Sequence, residues 1–427
     1  MSSDEDQTEG LGERLGRTLS AEEAARRLGV QLPTLYAYVS RGRLRSRRRP
    51  GSRRRRYLES EVEALRRQSR SGRSPTLAVG DALDWGMPVL ETRLTEIGDH
   101  RFFYRGLDVL DLARRATVEE VAALLWTGDL ERAKDLFEGA MERAPQISKP
   151  TRGWLHPSAF MTRALLELAH VDRSGATLGV PRPEVGARLV RGLFAATCAL
   201  RRRRRLTLAE VLQQSWCKAR PELEPLLRAT LILCADHELN VSSFTARCIA
   251  SSGASLYESV HGGLCALRGH RHGGHSDRAE ALLREVEIGV ERRAPSAASI
   301  RRRLEARLAR GETFPGFGQP LYPDGDPRFA ALVELAEQVA PRSPVVRAVR
   351  QVAEVGRELD GRAATVDLGL AMVSSMCGRG VGGAWTLFAL GRSVGWVAHA
   401  LEEAERGKLI RPRARYVGQR EAAARDR

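Results

Sequence analysis

The sequence predicts an all-α protein in two unequal parts, a small amino-terminal unit and a far longer multihelical body. Three observations point there. Apolar residues recur at helical spacing along most of the chain. Alternating strand patterns are nearly absent, and aromatic residues make up only 5% of the 427 residues. A chain of this length exceeds one compact core, so at least two domains are expected.

Residues 1–17 are acidic and glycine-rich, which predicts a mobile tail. A short helix follows. Ser20 and Glu23 form a capping box, Ala21, Ala24, Ala25 and Leu28 share one face, and Gly29 stops the helix. Val30 to Pro33 reads as a turn, with Pro33 opening a second helix from Thr34 to Val39. Two short helices on a tight turn make a helix-turn-helix, whose second helix enters a major groove. Arg41, Arg43, Arg45 and Arg47 to Arg49 precede Pro50-Gly51, and Arg53 to Arg56 follow it, as in a basic β-wing. Glu59 to Gln68 predicts a third helix, and 69–76 a flexible linker. The phrase LSAEEAARRLGVQLPTLYAYVSRGRLR (19–45) resembles the MerR and excisionase-like winged helix-turn-helix family, which bounds that domain at 18–68. Double-stranded DNA is the implied partner, with Thr34, Tyr36, Arg41, Arg43, Arg53 and Arg54 as its candidate contacts.

Helical segments are predicted at 117–126, 163–168, 183–200, 206–216, 221–233 and 241–250. Further ones fall at 278–289, 297–308, 328–339, 344–358 and 384–406. A second arginine run, Arg201 to Arg205, reads as an exposed loop. The bases total 69 against 53 acids, a net charge of +16, and 65 of the 69 are arginine. Such a surface favours phosphate and carboxylate partners. No apolar run approaches the roughly 20 residues of a membrane span, and the polar start Met1-Ser-Ser-Asp-Glu-Asp carries no secretory signal. Six cysteines without metal spacing read as reduced thiols in a cytoplasmic protein.

Three polar clusters interrupt the helices: Ala235-Asp-His-Glu-Leu-Asn240, Leu267 to His275, and Phe314 to Arg328. The second holds His270, His272 and His275, a spacing that raises zinc. The glycines at 273 and 274 predict a flexible loop there, and no Cys or acidic ligand stands at a suitable spacing, so no metal is expected. P-loop and strand-led GxGxxG motifs are missing, which removes the common nucleotide folds.

In order, YRGLDVLDLARRATVEEVAALLWTGDL (104–130), ADHELNVSSFTAR (235–247), CALRGHRHGG (265–274), GFGQPLYPDGDPR (316–328), VDLGLA (366–371) and ALGRSVGWVAHALEE with LIRPRARYVG (389–418) resemble the citrate synthase family. A helix-turn-helix ahead of such a domain resembles a bacterial subfamily. The resemblance implies a helical homodimer whose subunits have a large domain, 77–275 with 373–427, and a small domain, 276–372. It implies condensation of acetyl-CoA with oxaloacetate to citrate and CoA, with no cofactor. Asp367 matches the family's base and His272 its enol-stabilising donor. His237, Arg328, Arg392 and Arg411 match oxaloacetate ligands, Arg411 being supplied by the partner subunit. Gln319 stands where the family has the histidine that polarises the ketone, which implies a slowed reaction. Pro323 replaces a frequent basic residue, Thr365 an asparagine, and GHRHGG the usual GPLHGG. Two other readings stay open: a DNA-binding regulator with a metabolite-sensing body, and a 2-methylcitrate synthase using propionyl-CoA.

Overall fold

In the computed structural model the described residues are 18–40, 44, 46–48, 55–59, 62, 90–98, 101–138, 156–172, 181–198, 206–286, 288, 295–414 and 416–418. They form two compact units, divided between Glu91 and Thr92. The expected tail, the linker at 69–76 and the run Arg201 to Arg205 lie outside the described residues.

In the first unit, α1 (Ala21–Leu28) has the capping box on Ser20 and Glu23, and Gly29 closes it at φ +68°. The second helix, α2 (Leu32–Ser40), begins two residues earlier than the sequence suggested, so Pro33 sits inside its first turn, where a missing N–H costs nothing. Strands β2 (Arg47–Arg48) and β3 (Arg55–Leu58) pair antiparallel, Arg47 against Arg56, which makes the basic wing. One strand was not foreseen: β1 (Thr18–Leu19) pairs with the other edge of β3. Ala24, Ala25, Leu28, Leu35, Leu44, Tyr57 and Val62 bury together as a small core of their own. Only Glu59 and Val62 of the expected third helix are among the described residues.

Among its described residues the second unit is helical apart from one three-stranded meander, β4 (Thr95–Ile97), β5 (Phe102–Tyr104) and β6 (Leu107–Asp108). Strands of two or three residues are too short to show alternation, so this meander gave no signal in the sequence, and the all-α class holds. The helices are α3 (Val109–Arg115), α4 (Val118–Thr127), α5 (Ala133–Phe137), α6 (Pro157–Val171), α7 (Pro183–Cys198) and α8 (Leu208–Trp216). They continue as α9 (Glu224–Ala235), α10 (Val241–Ser251), α11 (Leu256–Leu267), α12 (Gly274–Glu285), α13 (Ala297–Ala309) and α14 (Pro327–Val339). The last are α15 (Pro344–Asp360), α16 (Val366–Met376) and α17 (Gly383–Arg406). Of these, α3, α5, α11 and α16 were not anticipated.

The centre is α17, whose residues from Gly383 to Ala400 are all buried, as expected of a helix apolar on every side. Its glycines allow the close packing. A Cβ at Gly395 would stand 2.1 Å from the Ala235 carbonyl oxygen, so only glycine lets α17 lie against the end of α9. On α10, Arg247 is 1% exposed and pairs with Glu402 and Glu403 of α17 at 3.0 and 2.6 Å. Buried Glu280 of α12 accepts from Ser374 Oγ and the amides of Gly382 and Ala384, tying α12 to the end of α16 and the start of α17. These polar ties fix the helix ends from which the polar clusters project.

Candidate active site

The first polar cluster is the tight exit from α9. Tyr104 Oη lies 3.0 Å from the carbonyls of Ile232 and Asp236 and accepts the Asp236 amide, closing the helix end from the meander side. Both Asp236 oxygens are engaged, one by His399 Nε2 at 3.0 Å and one by Thr95 Oγ1 at 2.5 Å. Glu238 then turns through φ +53°. Asn240 caps α10, its side-chain oxygen accepting the amides of Ser242 and Ser243. This path leaves His237 buried, with Nε2 3.0 Å from Tyr322 Oη. Burial first, and then the charges of Arg328 and Arg392, hold its pKa well below the usual histidine value, so it is neutral at pH 7.

The second cluster corrects an expectation. Gly273 and Gly274 are not a flexible loop but the packed start of α12, which begins four residues ahead of the predicted boundary. A Cβ at Gly273 would come within 2.5 Å of the Leu267 carbonyl oxygen, so glycine here permits a close turn. The three histidines do not converge. His272 Nε2 lies 2.9 Å from Ser242 Oγ, His275 Nδ1 accepts from Arg278 at 3.0 Å, and His270 is exposed. Among the described residues no cluster of three or more His, Cys, Asp or Glu is arranged to hold a metal.

His272 presents its ring edge to Phe388 at 5.8 Å, and the Arg392 guanidinium lies over that same phenyl ring at 4.9 Å. Burial, reinforced by the charge of Arg392 and by His275, pushes the His272 pKa down to about 3. Its imidazole is therefore uncharged at neutral pH.

The third cluster is pinned along residues 363–365. Gly318 donates to the Ala363 carbonyl and Thr365 to the Gly316 carbonyl, both at 2.8 Å. Gly316 and Gly318 hold φ of +83° and +79°, conformations that favour glycine. Gln319 follows at once, partly buried, and its Oε1 has no hydrogen-bond partner among the described residues. Asp326 caps α14 and grips Arg328 with both oxygens, Nε at 3.0 Å and Nη2 at 2.8 Å. The same carboxylate accepts the Val366 amide at 3.0 Å, which joins Arg328 to the first turn of α16.

Asp367 occupies that turn. Ser276 Oγ donates to its Oδ1 at 2.5 Å, and Thr365 Oγ1 lies 3.4 Å from Oδ2. Burial raises its pKa above the ordinary aspartate value, while Ser276 and the neighbouring His275 and Arg328 oppose the shift. From α17, Arg392 donates Nε to the Cys234 carbonyl at 2.7 Å and keeps Nη2 buried without a partner among the described residues. A buried, unpaired guanidinium donor is costly unless an anion arrives to take it.

His237, His272, Gln319, Arg328, Asp367 and Arg392 therefore belong to one connected constellation assembled from five chain segments. Arg411 does not join it within this chain; it is exposed beyond the end of α17. On the first unit Thr34 and Tyr36 are exposed on α2, whereas Arg41, Arg43, Arg53 and Arg54 lie outside the described residues. Ser242, Ser276, Tyr322 and Asp326 orient the constellation and were not singled out from the sequence. Asp326 alone carried a signal, an Asp-Pro pair ahead of a helix.

A family model described as citrate synthase, C-terminal domain, matches residues 77–413, and a helix-turn-helix domain model matches 18–70. Citrate synthase 2 of Bacillus subtilis (strain 168) is 29% identical over 364 residues, covering 78% of this chain and 94% of its own. A 2-methylcitrate synthase of Mycobacterium tuberculosis (strain ATCC 25618 / H37Rv) is 28% identical over 345 residues, 74% of this chain and 84% of its own. Among solved structures, citrate synthase from Thermotoga maritima MSB8 superposes with a TM-score of 0.64 at 25% identity, covering 79% of this chain and 96% of that one. The Thermoplasma acidophilum citrate synthase, solved in ternary complex with carboxymethyl coenzyme A and oxaloacetate, shares the fold with a TM-score of 0.63 at 22% identity over the same 79% of this chain and 96% of that one.

Proposed function

The chain belongs to the citrate synthase family of acyltransferases, with a helix-turn-helix domain at its amino terminus, and from that premise we propose that it condenses acetyl-CoA with oxaloacetate to give citrate and free CoA. The observation that carries this reading is that one constellation holds a carboxyl of raised pKa at Asp367, a neutral imidazole at His272 and the unpaired donor of Arg392.

The methyl of a thioester is a very weak acid. Asp367 takes its proton while His272 donates to the thioester oxygen that becomes an enol. For that task His272 needs its proton on Nδ1. Ser242 Oγ accepts from Trp396 Nε1 at 3.1 Å and lies 2.7 Å from Asn240 Oδ1 and 2.9 Å from His272 Nε2; that tautomer requires the Ser242 hydroxyl to turn its proton from Asn240 Oδ1 to His272 Nε2. Arg328 and Arg392 receive the carboxylates of the keto acid, with neutral His237 beside them. The enol carbon attacks the ketone, Gln319 donates a neutral hydrogen bond to its oxygen, and water then cleaves the thioester to release CoA. Thioester and keto acid supply every reacting atom except that water, so no cofactor is invoked.

The residues divide into a large lobe, 77–275 with 373–427, and a small lobe, 276–372, that close on substrate. Arg411, exposed in the single chain, completes the site of a partner subunit in a homodimer. The test is thiol release from acetyl-CoA with and without oxaloacetate, run beside propionyl-CoA. Oxaloacetate-dependent release supports the reading, and the preferred thioester assigns the acyl chain. Thiol release absent with every keto acid would remove it.

A second reading is favoured by the first unit, whose wing pairs Arg47 and Arg48 with Arg56 and Arg55 and whose α2 exposes Tyr36 by 47%. That unit contacts duplex DNA, α2 in the major groove and the wing on phosphates. Affinity is expected to fall about 10³-fold or more between 50 and 200 mM salt if six or more phosphates are neutralised. It is expected to vanish on removal of residues 1–74. Binding that survives the truncation would place the DNA contact elsewhere.

A further inference from the structure

The carboxyl ends of α8 and α16 lie side by side, away from the constellation described above. Three separate contacts align them. The Arg379 guanidinium sits 4.9 Å over the Trp216 ring. Arg220 Nη1 donates to the Met376 carbonyl at 2.9 Å. Between these, the Cys217 and Cys377 side chains interact with one another. Each cysteine is the cap of its helix: Cys217 N–H bonds to Gln213 O, and Cys377 N–H to Val373 O. Their backbones are thus held, and both residues are buried.

We propose that Cys217 and Cys377 are a redox pair that closes to an intramolecular disulfide when the protein meets a hydroperoxide. The inference does not depend on the reaction assigned to Asp367.

The chemistry of the pair is asymmetric. The hydrogen bond from Cys377 holds the Cys217 thiol below its usual pKa, and the same bond together with burial holds Cys377 above it. Cys217 is therefore the more readily ionised of the two and attacks first. Its sulfur takes one peroxide oxygen, the O–O bond breaks, and the departing hydroxide picks up a proton as water. The Cys377 sulfur then attacks the sulfenic sulfur; the S–S bond forms, the S–O bond breaks, and the hydroxyl leaves with the Cys377 proton as a second water. Two thiols lose two electrons and two protons, and one peroxide becomes two waters. A cleft of about 500 Å³ is lined in part by Ser375 and Met376, which precede Cys377, and by Arg220, which follows Cys217 by three residues.

The other buried thiols are poor competitors. Burial pushes Cys198 and Cys234 up to about 12, so neither offers thiolate at neutral pH. Cys265 is exposed and serves as an internal control for exposure to oxidant. Because α16 carries Asp367 in its first turn and Cys377 at its far cap, the bridge anchors the helix bearing that carboxyl to α8.

The experiment treats the full-length protein with hydrogen peroxide, alkylates remaining thiols, digests without reductant and maps peptides by mass. The expected product is a peptide pair joining Cys217 to Cys377 with two hydrogens lost, reversed by dithiothreitol. Closing a loop of about 160 residues is expected to raise the melting temperature on the order of 5 °C. Cys217→Ser or Cys377→Ser abolishes both effects; the mapping on the natural protein stands whether or not those variants fold. Both thiols remaining alkylatable while Cys265 oxidises would overturn the proposal. So would Cys217 climbing to sulfinic acid with Cys377 still free, or either cysteine bridging a different partner.

Discussion

Asp367→Asn is expected to lower keto-acid-dependent CoA release by a factor of roughly 10²–10⁴ without lowering the melting temperature. The substitution keeps shape and one acceptor oxygen, so the Ser276 hydroxyl that donates to Oδ1 at 2.5 Å still has its partner. What it removes is the carboxylate assigned to take the proton from carbon. The stability half of the expectation follows from the direction of the pKa shift. Burial raises the folded-state pKa of Asp367 above its unfolded value, so the ionised carboxylate at neutral pH is a cost to the native state, absent once pH falls below both values. A neutral isostere removes that cost.

The same shift sets the acid limb of the natural enzyme's pH profile. The base works only when ionised, so kcat falls as pH drops through the raised pKa. That limb is expected above the 3.8 of an ordinary aspartate. A variant with a normal rate, or with a large rate loss matched by unfolding, would contradict a proton-abstracting Asp367. Thermal melts beside the kinetics separate these outcomes.

How much of this was readable in the sequence depends on range. Helices that carry their own punctuation were legible: Ser20 with Glu23, and Thr117 with Glu120, declare their starts, and the structure shows both capping boxes. The helix α11 has the same signature at Ser255 and Glu258, yet was missed, because Gly262 and Gly263 dilute its helical appearance. Those glycines are there for packing. A Cβ at Gly263 would stand 2.7 Å from the Trp396 ring, a long-range reason invisible to a local window. The meander at 95–108 was missed because its strands are too short to alternate.

The constellation shows the same division. Its principal residues lay inside ordered motifs and were all named, but the residues that aim them were not. Ser242 reaches His272 across 30 positions of sequence, Asp326 reaches Val366 across 40, and Ser276 reaches Asp367 across 91. A serine carries no mark of such a partner, since its role exists only once the chain has folded. The glycine pair at 273–274 misled for the opposite reason: local composition suggested freedom where tertiary crowding demanded the smallest residue.

Gln319→His is expected to raise kcat on the order of 10²-fold, with little change in KM for the keto acid. The loop before this position is fixed by Phe317 pairing with Ala364 and by the Gly318 amide on Ala363, so a new side chain at 319 inherits a defined direction. Gln319 already stands partly buried, with Oε1 unmatched among the described residues, so a ring nitrogen enters a place where a polar atom has no competing partner. A carboxamide holds a developing alkoxide by one neutral hydrogen bond and has no proton to release near pH 7. An imidazole both donates and delivers, which acts on the transition state more than on bound ketone. The gain therefore belongs in kcat. A change under threefold would show that proton delivery at this position does not limit turnover. A fall in KM alone would assign Gln319 to holding the ketone rather than to the chemistry. Gln319→Asn, which keeps the amide but withdraws it by one methylene, is expected to move in the opposite direction. It thereby tests whether the amide in the natural chain touches the reacting oxygen at all.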